Sequence, residues 1–437
     1  MVLAHGVGGR QDLPLPFELT VIGAAAALLV SFVALGALWR EPRLNGPEAG
    51  RVVPAPWQRA ADSSGLRLTL GAAGLVAAGY VGLALVAGQD NARNPVPFVV
   101  YVLLWVGLVP ASVVLGPVWR WVNPVRWVHA LLLRAAGLDP RHGVLRLPSR
   151  LGYWPAAVGL FAFTWLELIA PDNATLPVLQ LAVLAYVSVQ LTAALLYGSR
   201  WLDRGDPFEV WSRLYGRLSV LGRRADGRVV LRSPLAGLDA VRPAPGLVAV
   251  LLVMLASTAY DALANAPWWF TLVQSSPVPA TVVETAGLLA VAAALGLVYG
   301  AATRAAGVLG GRGGRGMPTA FAHSLVPIAC GYVIAHYFSL LVLEGQRAFV
   351  MLSDPLGTGA DWLGLKGLQP DVSLLQPTLV ACVQVLSIVT GHVLGVVLAH
   401  DRAVRLFPRT KALVGQLPLL VLMVTYTCGG LLLLFGT

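Results

Sequence analysis

Residues 320–344, AFAHSLVPIACGYVIAHYFSLLVLE, and residues 377–400, PTLVACVQVLSIVTGHVLGVVLAH, decide the fold. Each is longer than eighteen residues and carries no Lys or Arg, the length and composition of a helix that crosses a bilayer. Four of the seven histidines lie in or at the ends of these two segments: His323, His336, His392 and His400. An imidazole inside hydrocarbon is unfavourable unless it is hydrogen-bonded, paired with an acid or bound to a metal. Ionisable groups in such segments are therefore functional-site candidates.

The same pattern recurs along the whole chain. Of 437 residues, 57% are hydrophobic and only 12% charged, with mean hydropathy +0.73. A soluble domain carries roughly a quarter of its residues as charges. The expected fold is all-α, a polytopic transmembrane helix bundle of about ten spans at 19–39, 68–88, 98–117, 153–171, 176–197, 246–265, 279–303, 320–343, 377–400 and 412–436. Of 31 basic residues, 27 fall in the connections 40–67, 118–152, 198–245, 304–319 and 401–411. Only Arg10, Arg93, Arg347 and Lys366 fall in the alternate set. By the positive-inside rule the basic loops face the cytoplasm and both termini lie outside. The net charge of +10 is thereby explained as topology. The expected partner is the lipid bilayer of the cell membrane together with a small molecule of unknown identity, not nucleic acid.

One integral membrane domain is expected over 1–437. Its cytoplasmic loops 118–152 and 198–245 carry interfacial helices, and 345–376 forms the outer loop. Trp and Arg alternate around Asn123-Pro124, and 128–137 has an amphipathic pattern suited to a membrane border. His129 and His142 read there as surface residues. Asp226-Gly227 between short apolar runs predicts a hairpin turn. The glycine-rich run 310–316 lacks the Gly-Lys-Ser/Thr ending of a phosphate loop and reads as a linker. In the outer loop, Ser353-Asp354-Pro355 through Asp361-Trp362 reads as a lid or as a structured turn. Cys330, Cys382 and Cys428 sit in apolar spans without CxxC spacing, as buried thiols. Gly331 to His336 and Gly395 to His400 share the pattern G-x-V-x-A-H.

A helix rises about 1.5 Å per residue, which places Glu167, Asp261 and His336 in one layer roughly 21 to 24 Å from the cytoplasmic ends of their spans. Glu284 and the hydroxyls of Thr258 and Tyr260 lie near that layer. His323, His392 and His400 with Asp401 make an inner grouping. Neutral imidazole with carboxylate is a ligand set for a divalent transition metal such as zinc, iron or manganese, and a metal-bound water hydrolyses esters. The same groups equally suit a proton relay in a transporter. No HExxH or GxSxG motif decides between them.

Several stretches together resemble the actinobacterial polytopic membrane proteins labelled fenitrothion hydrolase. They are Ala4-His5-Gly6 with Asp12-Leu13-Pro14, Trp165-Leu166-Glu167, 257–261, Ala335-His336, Ser353-Asp354-Pro355, Gly391-His392 through Ala399-His400-Asp401, and Gln416-Leu417-Pro418 with Tyr426-Thr427. The resemblance covers nearly the whole chain and implies hydrolysis of a phosphotriester-like or other ester. In that picture His336 and His392, with His323 and His400 as further candidates, hold the metal. Asp261 serves as ligand or general base, and Glu167 positions water. A proton-coupled transporter or permease and a non-catalytic membrane assembly protein are the alternatives.

Overall fold

The computed structural model describes residues 10–435, so the Ala4-His5-Gly6 motif lies outside the described residues. In chain order the principal helices are α1 (Phe17–Leu38), α2 (Ser64–Ala87), α3 (Pro95–Leu115), α4 (Pro124–Ala135), α5 (Trp154–Leu168), α6 (Leu176–Tyr197), α7 (Pro207–Tyr215), α8 (Leu247–Ala264), α9 (Ala280–Leu309), α10 (Met317–Leu352), α11 (Pro377–Leu406) and α12 (Val414–Phe435). Among the described residues nine helices are long and apolar enough to cross a membrane. The protein is an all-α membrane bundle. Helix α5 occupies the expected fourth span but has only 15 residues, about 22 Å of rise against a hydrocarbon core of about 30 Å.

The chain forms two compact units. The first comprises Gly50–Ser233 and Leu340–Ser373, and the second comprises the described parts of Ala4–Ala49, Pro234–Ser339 and Leu374–Thr437. Helix α10 passes from the second unit into the first after Ser339.

In the first unit, α4 and α7 each start with proline after a capping residue, an arrangement that satisfies the free amides of a first turn. Asn123 Oδ1 accepts from Val125 N at 3.0 Å, and Asp206 Oδ1 accepts from Phe208 N at 2.9 Å. The two segments echo each other. Gly116-x-x-Trp119 leads to Asn123-Pro124-x-Arg126, and Gly198-x-x-Trp201 leads to Asp206-Pro207-x-Glu209. Both glycines take positive φ, 86° and 73°. The echo is complementary in charge. Arg126 clamps Glu209 through Nε at 2.9 Å and Nη2 at 2.7 Å, and its Nη2 also donates to Asp203 at 2.9 Å. Asn123 Nδ2 and Tyr186 Oη donate to Asp206 Oδ2 at 2.8 and 3.0 Å. Burial, together with the neighbouring Glu209 carboxylate, pushes the Asp206 carboxyl up to about 6. Above this network Trp105 and Trp211 stack at 4.1 Å, with Phe163 4.9 Å from Trp105.

Two expectations for this unit change. His129 is not a surface residue but fully buried, because α4 packs the face that carries it against α6. Burial pushes its imidazole below the usual histidine range. The loop expected over 345–376 begins later, since α10 continues to Leu352. Its carboxylates hold the loop's own backbone: Asp354 accepts from Thr358 N and Gly359 N at 2.9 and 2.7 Å, and Asp361 from Leu365 N at 2.9 Å. That is a structured turn. The hairpin forms as expected, β2 (Leu221–Arg223) against β3 (Val229–Leu231) with Gly227 at φ 84°, and β1 (Arg51–Val52) adds a third antiparallel strand.

The second unit packs α1, α8, α9, α11, α12 and the first part of α10. The repeated G-x-V-x-A-H pattern has a packing reason. A Cβ on Gly331 would lie 2.3 Å from Ser387 O, and one on Gly395 would lie 3.0 Å from Ser324 O. Glycine lets the backbones of α10 and α11 touch. At one end of the unit Asp401 accepts from Arg43 N at 2.7 Å, Trp39 Nε1 at 3.1 Å and Arg405 Nη2 at 3.0 Å. Asp239 accepts from Gly46 N at 3.1 Å and Arg402 at 3.1 Å. These two buried carboxylates bind the chain that follows α1.

Candidate functional site

Helix α8 runs apolar through 247–256 and then presents Ser257, Thr258 and Asp261. Ser257 and Thr258 donate to the carbonyls of Met254 and Leu255, so their hydroxyls are satisfied within the helix. Asp261 points to α10. Its Oδ2 lies 2.8 Å from His336 Nε2, and Tyr337 Oη donates to the same oxygen at 3.3 Å. Asp261 and His336 are each 6% exposed. In so dry a setting, pairing and hydrogen bonding are what make a carboxylate tolerable.

His336 also forms part of the wall of a cavity of about 270 Å³ in the second unit. The space exists because the facing positions are small: Ala259, Ala262, Ala294, Ala335 and Gly429. Its polar edges are Thr258, Tyr332, His336, Thr425 and Tyr426, and the rest is aliphatic. Tyr332 Oη donates to Tyr426 O at 3.0 Å, and Gly430 makes room for that tyrosine. A smaller cavity of about 40 Å³ shares Leu295, Leu422 and Tyr426 with the first and reaches His392.

The other expected site residues are placed differently. His392 is fully buried and its Nδ1 bonds Ile388 O at 2.9 Å, one turn back on α11. His400 has both nitrogens engaged, Nδ1 with Gln416 Oε1 at 3.0 Å and Nε2 with Trp39 O at 2.8 Å. His323 is buried near Asp239, Arg402 and Arg405 at the end of the unit where the carboxylate clasp lies. Tyr260 packs edge-on against Trp269 at 5.9 Å. Glu167 belongs to the first unit, near Tyr101 on a π-helical stretch of α3 over Val99–Val106.

Among the described residues no three His, Cys, Asp or Glu side chains come together as a metal centre. His336, His392, His323 and His400 do not form one donor set: each has its own hydrogen-bonding neighbourhood. Among the described residues these four imidazoles thus do not fit a resident zinc, iron or manganese ion. Sequence reasoning missed Tyr332, Tyr337 and Tyr426 as site residues. Their signal is slight: Tyr332 and Tyr337 lie within about a turn of His336 on α10, and Tyr426 is one phenol among the apolar residues of α12.

Comparison with known proteins identifies no relative, since no protein-family model, curated protein or solved structure matches the chain.

Proposed function

We propose that the chain is a plasma-membrane protein of about ten spans with both termini outside, in which an apolar ester enters the second unit's cavity and the Asp261–His336 pair activates water for its hydrolysis. The observation that carries this reading is the 2.8 Å contact between Asp261 Oδ2 and His336 Nε2 on the cavity wall. Asp261 fixes the ring orientation and stabilises the imidazolium. His336 takes a proton from water as the water oxygen attacks the acyl carbon or phosphorus. The ester C–O or P–O bond breaks, and the alkoxide or phenoxide leaves with that proton. General-base assistance of this kind contributes typically ~10²–10⁴-fold. The resemblance to fenitrothion-hydrolase-type proteins favours a phosphotriester with an aryl leaving group. No step runs through a metal, and none is assigned to Glu167.

The experiment uses purified protein in proteoliposomes with a fluorogenic aryl acetate and a diethyl aryl phosphotriester. Aryl release above that of empty vesicles, lost in Asp261→Asn, supports the reading. Release from neither substrate removes it.

A second reading, a proton-coupled permease, is favoured by two cavities that share Tyr426 in their walls, with one histidine on each. It expects solute flux that stops when the pH gradient is dissipated, with no bond broken.

A further inference from the structure

We infer that His392 and Tyr426 form a subsite selective for hydrogen-bond donors, so that the second unit binds a small apolar molecule through a single O–H or N–H group. The inference stands on the hydrogen bonding of His392 and does not need hydrolysis to occur.

His392 has its Nδ1 on the carbonyl oxygen of Ile388 at 2.9 Å. A carbonyl only accepts, so the proton sits on Nδ1 and Nε2 carries the lone pair. The side chain is fully buried among apolar helices, where an imidazolium without a counter-ion is disfavoured. Nε2 is therefore a fixed acceptor, and it is buried with no partner among the described residues. Tyr426 Oη is buried and without a partner in the same way. Both residues line the smaller cavity, with their rings 5.9 Å apart. Two unsatisfied polar atoms on residues that line one apolar chamber each carry a desolvation penalty that a matched ligand group would relieve.

Size separates the roles of the two chambers. The smaller, about 40 Å³, admits a hydroxyl-sized group, since roughly 10–15 Å³ suffices for one water. The larger, about 270 Å³, exceeds the roughly 150 Å³ that accommodates benzene in an engineered apolar cavity. The body of the ligand then lies against Ala259, Ala294 and Gly429, and its donor group passes Tyr426 to reach His392. An ether, ester or ketone offers His392 Nε2 only another lone pair, so it gains no hydrogen bond from the imidazole and its body stays in the larger chamber, where the ester of the hydrolytic reading is held. Apolar alcohols, phenols and indoles are the class that fits.

The test compares 1-naphthol with 1-methoxynaphthalene, which differ in the donor alone, by calorimetric titration of the purified full chain in detergent micelles. The wild type is expected to prefer naphthol by about three- to tenfold, the contribution of one hydrogen bond. His392→Phe loses the preference, His392→Gln keeps an acceptor and most of it, and Tyr426→Phe weakens it. Asp261→Asn keeps it, which separates this subsite from the hydrolytic reading. Should His392→Phe fail to fold, ¹⁵N-histidine spectra of the wild type replace it: naphthol, and not the ether, must move one imidazole Nε2 resonance that is missing from His392→Gln. Equal affinities for the two probes, or a preference that survives His392→Phe, would overturn the inference and leave the chamber as a site for water alone.

Discussion

Asp261 on α8 and His336 on α10 share a hydrogen bond of 2.8 Å between side chains that are both more than nine-tenths buried. Removing one member leaves the other without its partner in a dry environment, so the two act as a unit. Asp261→Asn and His336→Gln are each expected to lower aryl-ester turnover by about 10²-fold or more. The double variant should be scarcely worse than either single, because groups that work together are not additive. Turnover by the three variants in matched proteoliposomes checks this, and fully multiplicative losses would show that the residues act separately.

Asp206 offers a pH signature outside the spans. Its carboxyl is raised to about 6 by burial and by Glu209, against an ordinary value of 3.8. A raised acid binds protons more tightly when folded, so its contribution to stability is full below about 3.8 and is lost as pH rises through about 6. His129 works with the opposite sign, because burial lowers its imidazole. The neighbouring Asp203 is held low despite its burial by Arg120 and Arg126 and stays ionised across this range. The difference between wild type and Asp206→Asn isolates one group. From pH 5 to pH 7 the wild type should lose about 1 kcal/mol relative to the variant in detergent melts. A constant difference across that range would refute the assignment.

These two sites were unequally legible in the sequence. Spans are legible because hydrocarbon leaves a chain no alternative to twenty apolar residues in a helix. Depth along a span puts Glu167, Asp261 and His336 at one level, since helical rise is fixed, and of these Asp261 and His336 share a hydrogen bond. Direction around the helix is not fixed by depth, and there the reading stopped. His392 and His400 share the C-terminal half of α11, yet one bonds its own helix and the other bonds Gln416 and Trp39. The Arg126–Glu209 clamp joins residues 83 apart, in two loops that each look like an ordinary basic membrane border. Only the packing of two proline-led helices brings them together. His129 misled for the same reason: an amphipathic helix at a membrane border was given a wet face that α6 in fact covers.

Gly430 tests whether the cavity is shaped by α10 and α12 together. A Cβ there would fall 1.9 Å from Tyr332 Oη, which donates to Tyr426 O. Gly430→Ala therefore forces Tyr332 out of its rotamer and breaks that bond. Overpacking of this kind typically removes about 1–3 kcal/mol, and the displaced ring should also weaken binding of 1-naphthol. Tyr332→Phe, which lacks the clashing oxygen, is expected to recover part of the loss in Gly430→Ala. Additive destabilisation in the double variant would show that the glycine serves some other contact.

The carboxylate clasp makes a prediction about the chain after α1. Asp239 is buried and holds Arg402 and Arg405 together with Gly46 N, while Asp401 holds Trp39, Arg43 N and Arg405. Taking one carboxylate away leaves arginine charge partly buried and uncompensated, a change that in buried pairs is worth about 3–5 kcal/mol. The half-exposed Arg405 shares its charge with water, so the lower end of that range applies to Asp239→Ala. Asp401→Asn also withdraws its charge from the Arg43 and Leu44 amides. Both variants should melt at lower temperature in detergent, and both should become cleavable by trypsin after Arg40 and Arg43, where the wild type resists. The Asp261–His336 pair lies elsewhere in the unit, so ester turnover per folded molecule should stay within about twofold, as expected of distant, independent sites. A clasp variant that melts normally but loses turnover would place Asp239 or Asp401 in the chemistry instead.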